Sequence, residues 1–275
     1  GVDEGIVVGG TFTGGSLTAG SYTLAPAASV GVTGFVLYLS IGNGNVVWAS
    51  RIASGHSAAS ASVLTSAVWE ISASTASVAV AGDFTFPQAY DMYVDNGDQD
   101  TVGGNAVFGT GIQQGFVALL DVTTGRQTSV VVPRCRAACS AVSVASVHGA
   151  ATAVFTSDAA MTFGGVAVGD ASTNSYAAVV EIGGYGGTVV QAVQPVGDGS
   201  TGVVHALGIA ANNVSVAVVG WRNGVVTLPG AESVTAMDHE TPTSSADMPF
   251  VVVLESMPPP SPLPIVRSRL VSPVA

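Results

Sequence analysis

Short apolar stretches rich in valine recur along the chain and alternate with segments rich in glycine, serine and threonine. Their apolar cores are only four to six residues long, and glycine interrupts them. Valine-rich runs of this length predict β-strands more readily than buried helices. Four of them end near a small residue, at 6–12, 78–84, 152–158 and 216–222.

A second pattern follows each of these runs after an insert and consists of an aromatic residue leading an apolar run. It occurs at 34–40, 115–121, 175–181 and 249–255, with Phe35, Phe116, Tyr176 and Phe250 as the aromatic anchors. A turn and a further strand come next, at 42–52, 124–132 and 183–193. Another strand precedes the first pattern in three copies, at 66–74, 140–148 and 204–212.

The chain is therefore predicted to be all-β, with about four repeats of four short antiparallel strands, named a, b, c and d in chain order. Such repeats arranged around an axis are typical of a β-propeller, and a single unit cannot bury both of its faces without neighbours. The approximate units are 1–65, 66–139, 140–203 and 204–275, within one propeller-like domain. Long inserts separate strands b and c. Strand a is missing from the first unit, which suggests a segment of a larger protein, and 264–271 is the expected last strand d.

The order of these patterns resembles the short bacterial-type β-propeller repeats. The segments 68–83 with 115–125, and 205–221 with 249–255, carry the resemblance. It implies a propeller fold and a secreted or surface location, and it implies no shared activity. The long inserts and the absence of lysine depart from that family.

The charge balance restricts the partners. The chain has a formal net charge of −11, from 18 acidic residues, seven arginines and no lysine. This acidity argues against a nucleic-acid partner, which requires clustered basic residues. No apolar run approaches the length of a membrane span. The expected location is secreted, extracellular or at the cell surface.

The two cysteines, Cys135 and Cys139, lie in the sequence RCRAAC. In a secreted chain this pair predicts a disulfide closing a small loop, and free thiols or a bridge to another chain are the alternatives. Two cysteines cannot complete a four-ligand zinc site, and the spacing differs from the Cys-x-x-Cys redox motif.

The insert of the second unit concentrates aspartates between two tyrosines and a glycine-rich stretch. Asp95, Asp98 and Asp100 are the candidate ligands of a structural calcium ion, although their spacing does not fit an EF-hand. The alternative is a solvated acidic loop, and no other cofactor is expected.

All b–c inserts of a propeller emerge at one end, so the acids of different inserts form a candidate binding face. Its members are Asp91, Asp95, Asp98, Asp100, Asp238 and Glu240. Loops on a rigid scaffold frequently bind partners, but the same charge also serves solubility.

Two motifs indicate modification. Asn213 begins an N-glycosylation sequon at the predicted a–b turn of the fourth unit. The stretch PPPSP at 258–262 resembles the hydroxyproline-rich segments of algal and plant wall glycoproteins, and the plainer interpretation is a stiff polyproline spacer.

These observations favour an extracellular structural or adhesive protein, a subunit of a coat, wall or filament, whose partners are copies of itself or other extracellular proteins. The alternative is a ligand-binding propeller that recognises a glycan or a basic partner through its acidic face. The third hypothesis is a propeller hydrolase, which requires carboxylates or a histidine from several units to converge. No catalytic residue can be assigned from the sequence.

Overall fold

The computed structural model describes residues 5–26, 32–54, 65–85, 90–95, 105–107, 112–147, 150–169, 175–183, 190–199, 203–212, 215–223, 248–255 and 268–270. These residues form β-strands and turns, and none of them belongs to a helix that could cross a membrane. The strands are β1 Gly5–Thr13, β2 Leu17–Ala19, β3 Tyr22–Leu24, β4 Val32–Ser40, β5 Val46–Ser54, β6 Thr65–Ala73, β7 Ser77–Thr85, β8 Tyr90–Asp95, β9 Asn105–Val107, β10 Gln114–Asp121, β11 Gln127–Val131, β12 Arg134–Cys135, β13 Cys139–Val147, β14 Ala150–Ser157, β15 Met161–Phe163, β16 Val166–Val168, β17 Ser175–Ile182, β18 Val190–Gly199, β19 Val203–Ala211, β20 Ser215–Asn223, β21 Met248–Glu255 and β22 Ser268–Leu270.

Four antiparallel sheets contain most of these strands, which confirms the all-β prediction. In spatial order they are sheet 1 (β1-β4-β5-β8-β9), sheet 2 (β6-β7-β10-β11), sheet 3 (β13-β14-β17-β18) and sheet 4 (β19-β20-β21-β22). Sheets 2, 3 and 4 are meanders of strands a, b, c and d, as predicted, although strand d of the third unit occupies Val190–Gly199 where the sequence predicted 183–193. Sheet 1 begins at strand b. All four sheets are open as far as the described residues show, since no first strand pairs with a last one.

Two irregularities of strand pairing recur at equivalent places, each in three of the four sheets. Strand a carries one extra residue opposite strand b in each of three sheets, namely Trp69, Val142 and Leu207. A second register shift between strands c and d follows Tyr38, Leu119 and Glu181. Bulges of this kind bend a strand and increase its twist. Their recurrence at fixed positions gives an alignment of the units that does not depend on residue type.

This alignment corrects one sequence prediction, the aromatic anchor of the third unit. Phe35, Phe116 and Phe250 each lie opposite a glycine of strand b. The equivalent residue of strand c in the third unit is Ala178, not Tyr176, and it lies opposite Phe155. The large and small residues have exchanged strands. The pair keeps a similar volume, which a close-packed core tolerates well, so the aromatic residue no longer marks the start of strand c.

Three apolar clusters lie between consecutive sheets. The first contains Val36 of sheet 1 with Val80 of sheet 2, and the second contains Val117 of sheet 2 with Ala153 of sheet 3. The third contains Val179 of sheet 3 with sheet 4 residues. Most members are Val, Ala and Leu. Burial of these apolar side chains between neighbouring sheets is the main stabilising contribution.

The b–c inserts contain hairpins that the sequence analysis did not predict. In the first unit β2 pairs with β3, and in the third unit β15 pairs with β16. The hairpins turn at glycines with positive φ, at Gly20 in the first and at Gly164 and Gly165 in the second. In the second unit, β8 of the insert pairs with β5 and extends sheet 1. This insert therefore joins the first two units.

Trp48 of β5 further fixes sheet 1 to sheet 2. Its indole Nε1 donates to the carbonyl oxygen of Val122 over 2.9 Å, and the Ser50 hydroxyl donates to the carbonyl oxygen of Gly125 over 3.1 Å. Gly125 has a φ of 69°, and a Cβ there would lie 2.5 Å from the indole. The turn after β10 thus requires glycine both for its left-handed backbone and for contact with the ring.

Candidate functional site

A buried carboxylate lies where sheets 2 and 3 meet, at the end that carries the b–c inserts. Asp83, near the end of β7, is only 6% exposed. The Ser140 hydroxyl of β13 donates to Asp83 Oδ1 over 2.6 Å, and Gln113 Nε2 donates to Asp83 Oδ2 over 2.5 Å. A buried charge is tolerated only when it is hydrogen-bonded. These two bonds satisfy both carboxylate oxygens, and one of them crosses between the sheets.

The predicted disulfide between Cys135 and Cys139 is present beside this carboxylate. The backbone N–H of Cys139 donates to the carbonyl oxygen of Gln113 over 3.1 Å. Cys135 belongs to β12, which pairs with β15 of the third unit's insert hairpin. The bond therefore ties that hairpin to the first residue of β13.

Close packing surrounds this position. A Cβ on Gly115 would lie 2.3 Å from the backbone nitrogen of Ala141, so β10 approaches β13 more closely than any side chain allows. The backbone N–H of Gly115 also points to Cys139 Sγ, 3.5 Å away. We refer to Asp83, Gln113, Ser140 and the disulfide as the Asp83 node.

The chemistry of the Asp83 node is that of a structural junction. The Ser140 hydroxyl is hydrogen-bonded directly to a carboxylate, and no histidine lies between them as in a serine hydrolase. Among the described residues, no group of three His, Cys, Asp or Glu side chains could hold a metal ion. The node binds one sheet to the next through satisfied hydrogen bonds.

A second set of polar contacts joins the strands a of consecutive sheets. The backbone N–H of Val144 in sheet 3 donates to Glu70 Oε2 of sheet 2 over 3.0 Å. The backbone N–H of Ile209 in sheet 4 donates to the Ser143 hydroxyl of sheet 3 over 3.0 Å. Glu70 and Ser143 each follow the bulge residue of their strand, so the two contacts are equivalent.

These contacts satisfy backbone groups that a first strand would otherwise expose. Strand a has no hydrogen-bonded neighbour on its outer side in the described sheets. Unpaired edge groups invite association with other strands, and proteins cover them in several ways. Here a side chain of the preceding sheet covers the edge. The Ser72 hydroxyl does the same for the backbone N–H of Ser146, over 2.8 Å.

The predicted acidic face is described only in part. Asp91 and Asp95 belong to β8, and the register places Asp95 opposite Arg51 of β5. An arginine outside the inserts thus shares the sheet with the aspartates. The other predicted acids, Asp98, Asp100, Asp238 and Glu240, lie outside the described residues. The calcium site therefore stays a prediction.

The predicted glycosylation site, Asn213, also lies outside the described residues. The described residues on either side of it, Asn212 and Ser215, are hydrogen-bonded to each other. The backbone N–H of Ser215 donates to Asn212 Oδ1 over 2.8 Å, and the backbone N–H of Asn212 donates to the carbonyl oxygen of Ser215 over 3.0 Å.

A pair of aromatic rings lies at the opposite end of sheet 4, near the start of β19 and the end of β20. His205 and Trp221 are stacked with ring centroids 4.5 Å apart and an interplanar angle of 22°. Both residues are half-buried. A flat, partly exposed indole is a surface on which a ligand ring can stack.

Neither a protein-family model nor a curated protein matches the sequence.

Sequence reasoning missed Asp83 and Glu70 because it searched the inserts for acidic clusters. The signal was nevertheless present, since Asp83 lies in the strand sequence VAVAGDF and is the one charged residue in that run. An acidic residue inside an apolar strand indicates a buried, hydrogen-bonded carboxylate. Its partners are distant in sequence and could be identified only from the structure.

Proposed function

We propose that this chain is an extracellular structural or adhesive protein, a subunit of a cell-surface coat, wall or filament. Its units act as blades of a β-propeller-like array. The meander order of sheets 2, 3 and 4 and the apolar layers between consecutive sheets support this part of the proposal.

The observation that carries the proposal is the use of polar groups between the sheets. Asp83, Glu70 and Ser143 each bond a neighbouring sheet. An enzyme keeps such groups available to substrate, in geometries where a proton or nucleophile can be transferred. Here the carboxylates and hydroxyls are occupied in holding one repeat to the next, as expected of a scaffold.

The extracellular location is supported by the disulfide between Cys135 and Cys139. Disulfides persist in oxidising compartments and are rare in reducing ones. The low content of charged residues and the acidic charge balance are compatible with a packed surface layer.

Immunogold labelling of intact cells that make the protein tests this proposal, together with fractionation of the wall, the membrane, the cytosol and the medium. We expect label on an ordered structure outside the membrane and protein that is released only by agents that dissolve this structure. Label confined to the cytosol, or protein found only free in the medium, would contradict the proposal.

A ligand-binding propeller is the second candidate, favoured by the stacked His205 and Trp221. It would recognise a glycan or a basic partner at the insert end. Replacing Asp95, Asp98 and Asp100 by asparagine should then weaken binding to a basic partner without lowering the melting temperature. Unchanged affinity would exclude the acidic face. For a glycan, a Trp221→Ala variant should lose binding on a glycan array, with Trp48→Phe as the buried aromatic control.

A further inference from the structure

Each of the inner sheets has two buried faces. We call the side toward the preceding sheet the front face and the side toward the following sheet the back face. On the back face of sheet 2, Ala81 and Val117 are fully buried against sheet 3. On the back face of sheet 3, the equivalent residues Val154 and Val179 are buried against sheet 4.

On the back face of sheet 4, the equivalent positions also hold apolar residues, but these residues are exposed. Val219 and Val251 are a directly opposed pair of β20 and β21, and they occupy the positions of Ala81 and Val117. They are 44% and 39% exposed. The bulge residue Leu207 is 63% exposed, although its equivalent in sheet 3, Val142, packs into the next apolar layer.

On the front face of sheet 1, two apolar residues of β1 are exposed in the same way. Ile6 and Val8 of β1 are 55% and 38% exposed. Their equivalents in sheet 2, Val78 and Val80, are fully buried against sheet 1. The same face carries the partly exposed side chains of Phe12, Phe35, Leu37 and Leu39. It also carries two polar residues, the buried Thr33 opposite Phe12 and the partly buried Arg51 opposite Phe35.

The exposed back face of sheet 4 and the exposed front face of sheet 1 correspond to the two surfaces that pack together wherever two sheets meet inside the chain. Inside the chain, the back face of each sheet packs on the front face of the next sheet through apolar and aromatic side chains. Contiguous exposed apolar surface marks an interaction site. Because sheet 4 exposes apolar residues on its back face and sheet 1 exposes them on its front face, a second copy can supply the matching surface for each.

We infer that the chain associates head to tail, with the back face of sheet 4 in one copy packed on the front face of sheet 1 in a second copy. This inference deepens the proposed function, because it names the partner and the surfaces through which a coat or filament is built. A contact between two different surfaces is heterologous, and repeated contacts of this kind give an open filament or a closed ring.

Sedimentation velocity of the intact chain over a wide concentration range tests the inference. We expect the average mass to exceed that of a monomer and to rise with concentration. Val219→Asp should prevent packing through the back face of sheet 4, and Val8→Asp should prevent packing through the front face of sheet 1, because a charge buried without a partner opposes packing. Each variant alone should sediment as a monomer. Val166→Asp is the control, since this exposed valine lies on an insert hairpin away from both faces, and it should associate like the unaltered chain.

Mixing the two face variants gives the decisive result. Each retains the surface that the other has lost, so a mixture should form dimers of one copy of each and stop there. Circular dichroism and the melting temperature of each variant confirm that it is folded. The inference is overturned if the unaltered chain is monomeric throughout, if either variant still associates like the unaltered chain, or if the mixture stays monomeric. If both face variants assemble like the unaltered chain, this inference is wrong. The proposed function would still stand or fall on the labelling experiment.

Discussion

At the scale of single residues, the informative positions are polar side chains buried between sheets. The Asp83 carboxyl group is nearly inaccessible to water and is bonded to donors from two other segments. Ser129 is also buried, but its hydroxyl makes no hydrogen bond to any described residue. The two residues therefore contribute to stability with opposite signs.

We expect Asp83→Ala to lower the free energy of unfolding by about 1–3 kcal/mol, because the partly buried Ser140 hydroxyl loses its acceptor and the bond between sheets 2 and 3 is lost. Chemical denaturation measures this loss. Asp158→Ala is the matched control, since Asp158 is exposed, and it should change stability by less than about 0.5 kcal/mol. If the two substitutions change the free energy of unfolding equally, Asp83 does not have the structural role assigned to it.

Ser129→Ala should leave the free energy of unfolding unchanged or raise it by up to about 1 kcal/mol, because a buried hydroxyl without a partner costs free energy. Ser140→Ala, which deletes a donor to Asp83, should lower it. Thermal unfolding of the two variants side by side gives the comparison. A marked destabilisation by Ser129→Ala would show that its hydroxyl does have a partner.

At the scale of elements, the contact between consecutive strands a repeats with the units. In two successive interfaces the residue after the bulge accepts a backbone N–H from the next sheet. The acceptor is a glutamate in one case and a serine in the other. The position is thus maintained by geometry, with different side chains serving the same purpose.

Hydrogen exchange of individual amides tests this contact. Ser143→Ala should speed exchange of the Ile209 amide, because that N–H loses its acceptor, and leave the Val144 amide unchanged. Glu70→Ala should do the reverse. The two variants therefore control for each other. If both amides respond equally to both substitutions, the effect is general loosening and the specific contact is absent.

The disulfide should stabilise the junction between β12 and β13. It closes a small loop, for which chain entropy predicts a contribution of about 2 kcal/mol. A reducing agent should lower the free energy of unfolding by that amount and raise the intact mass by about two hydrogens. The chain has only these two cysteines, so the reagent has one target. No change in mass would show that the bond is not formed.

The strands were predictable from sequence where local pattern decides them. Strands a, b and c were found because their apolar runs face neighbours on both sides and stand out from the polar inserts. The hairpin LTAGSYTL was overlooked although alternation around a glycine turn predicts it. In the third unit the phenylalanine lies on strand b, at Phe155, and the small residue lies on strand c, at Ala178. The sequence could not show this exchange, because which residues face each other depends on the register between two strands, and the pattern of a single strand does not give the register.

At the scale of the whole molecule, one packing mode joins the four described sheets through three successive apolar layers. Sheets 1 to 4 follow one another through apolar layers, and the first and last sheets expose the surfaces that the inner sheets bury. Repeat proteins require caps that end such a series with polar surface. The described first and last sheets present valine, leucine and isoleucine instead, which favours further association.

The central claim is that this chain is a building unit of an extracellular assembly. Negative-stain electron microscopy of material purified from its native source without denaturant tests that claim most directly. We expect regular filaments or sheets with a repeat of about one chain. Isolated particles of single-chain mass at every concentration would contradict it and would direct attention to ligand binding at the insert end.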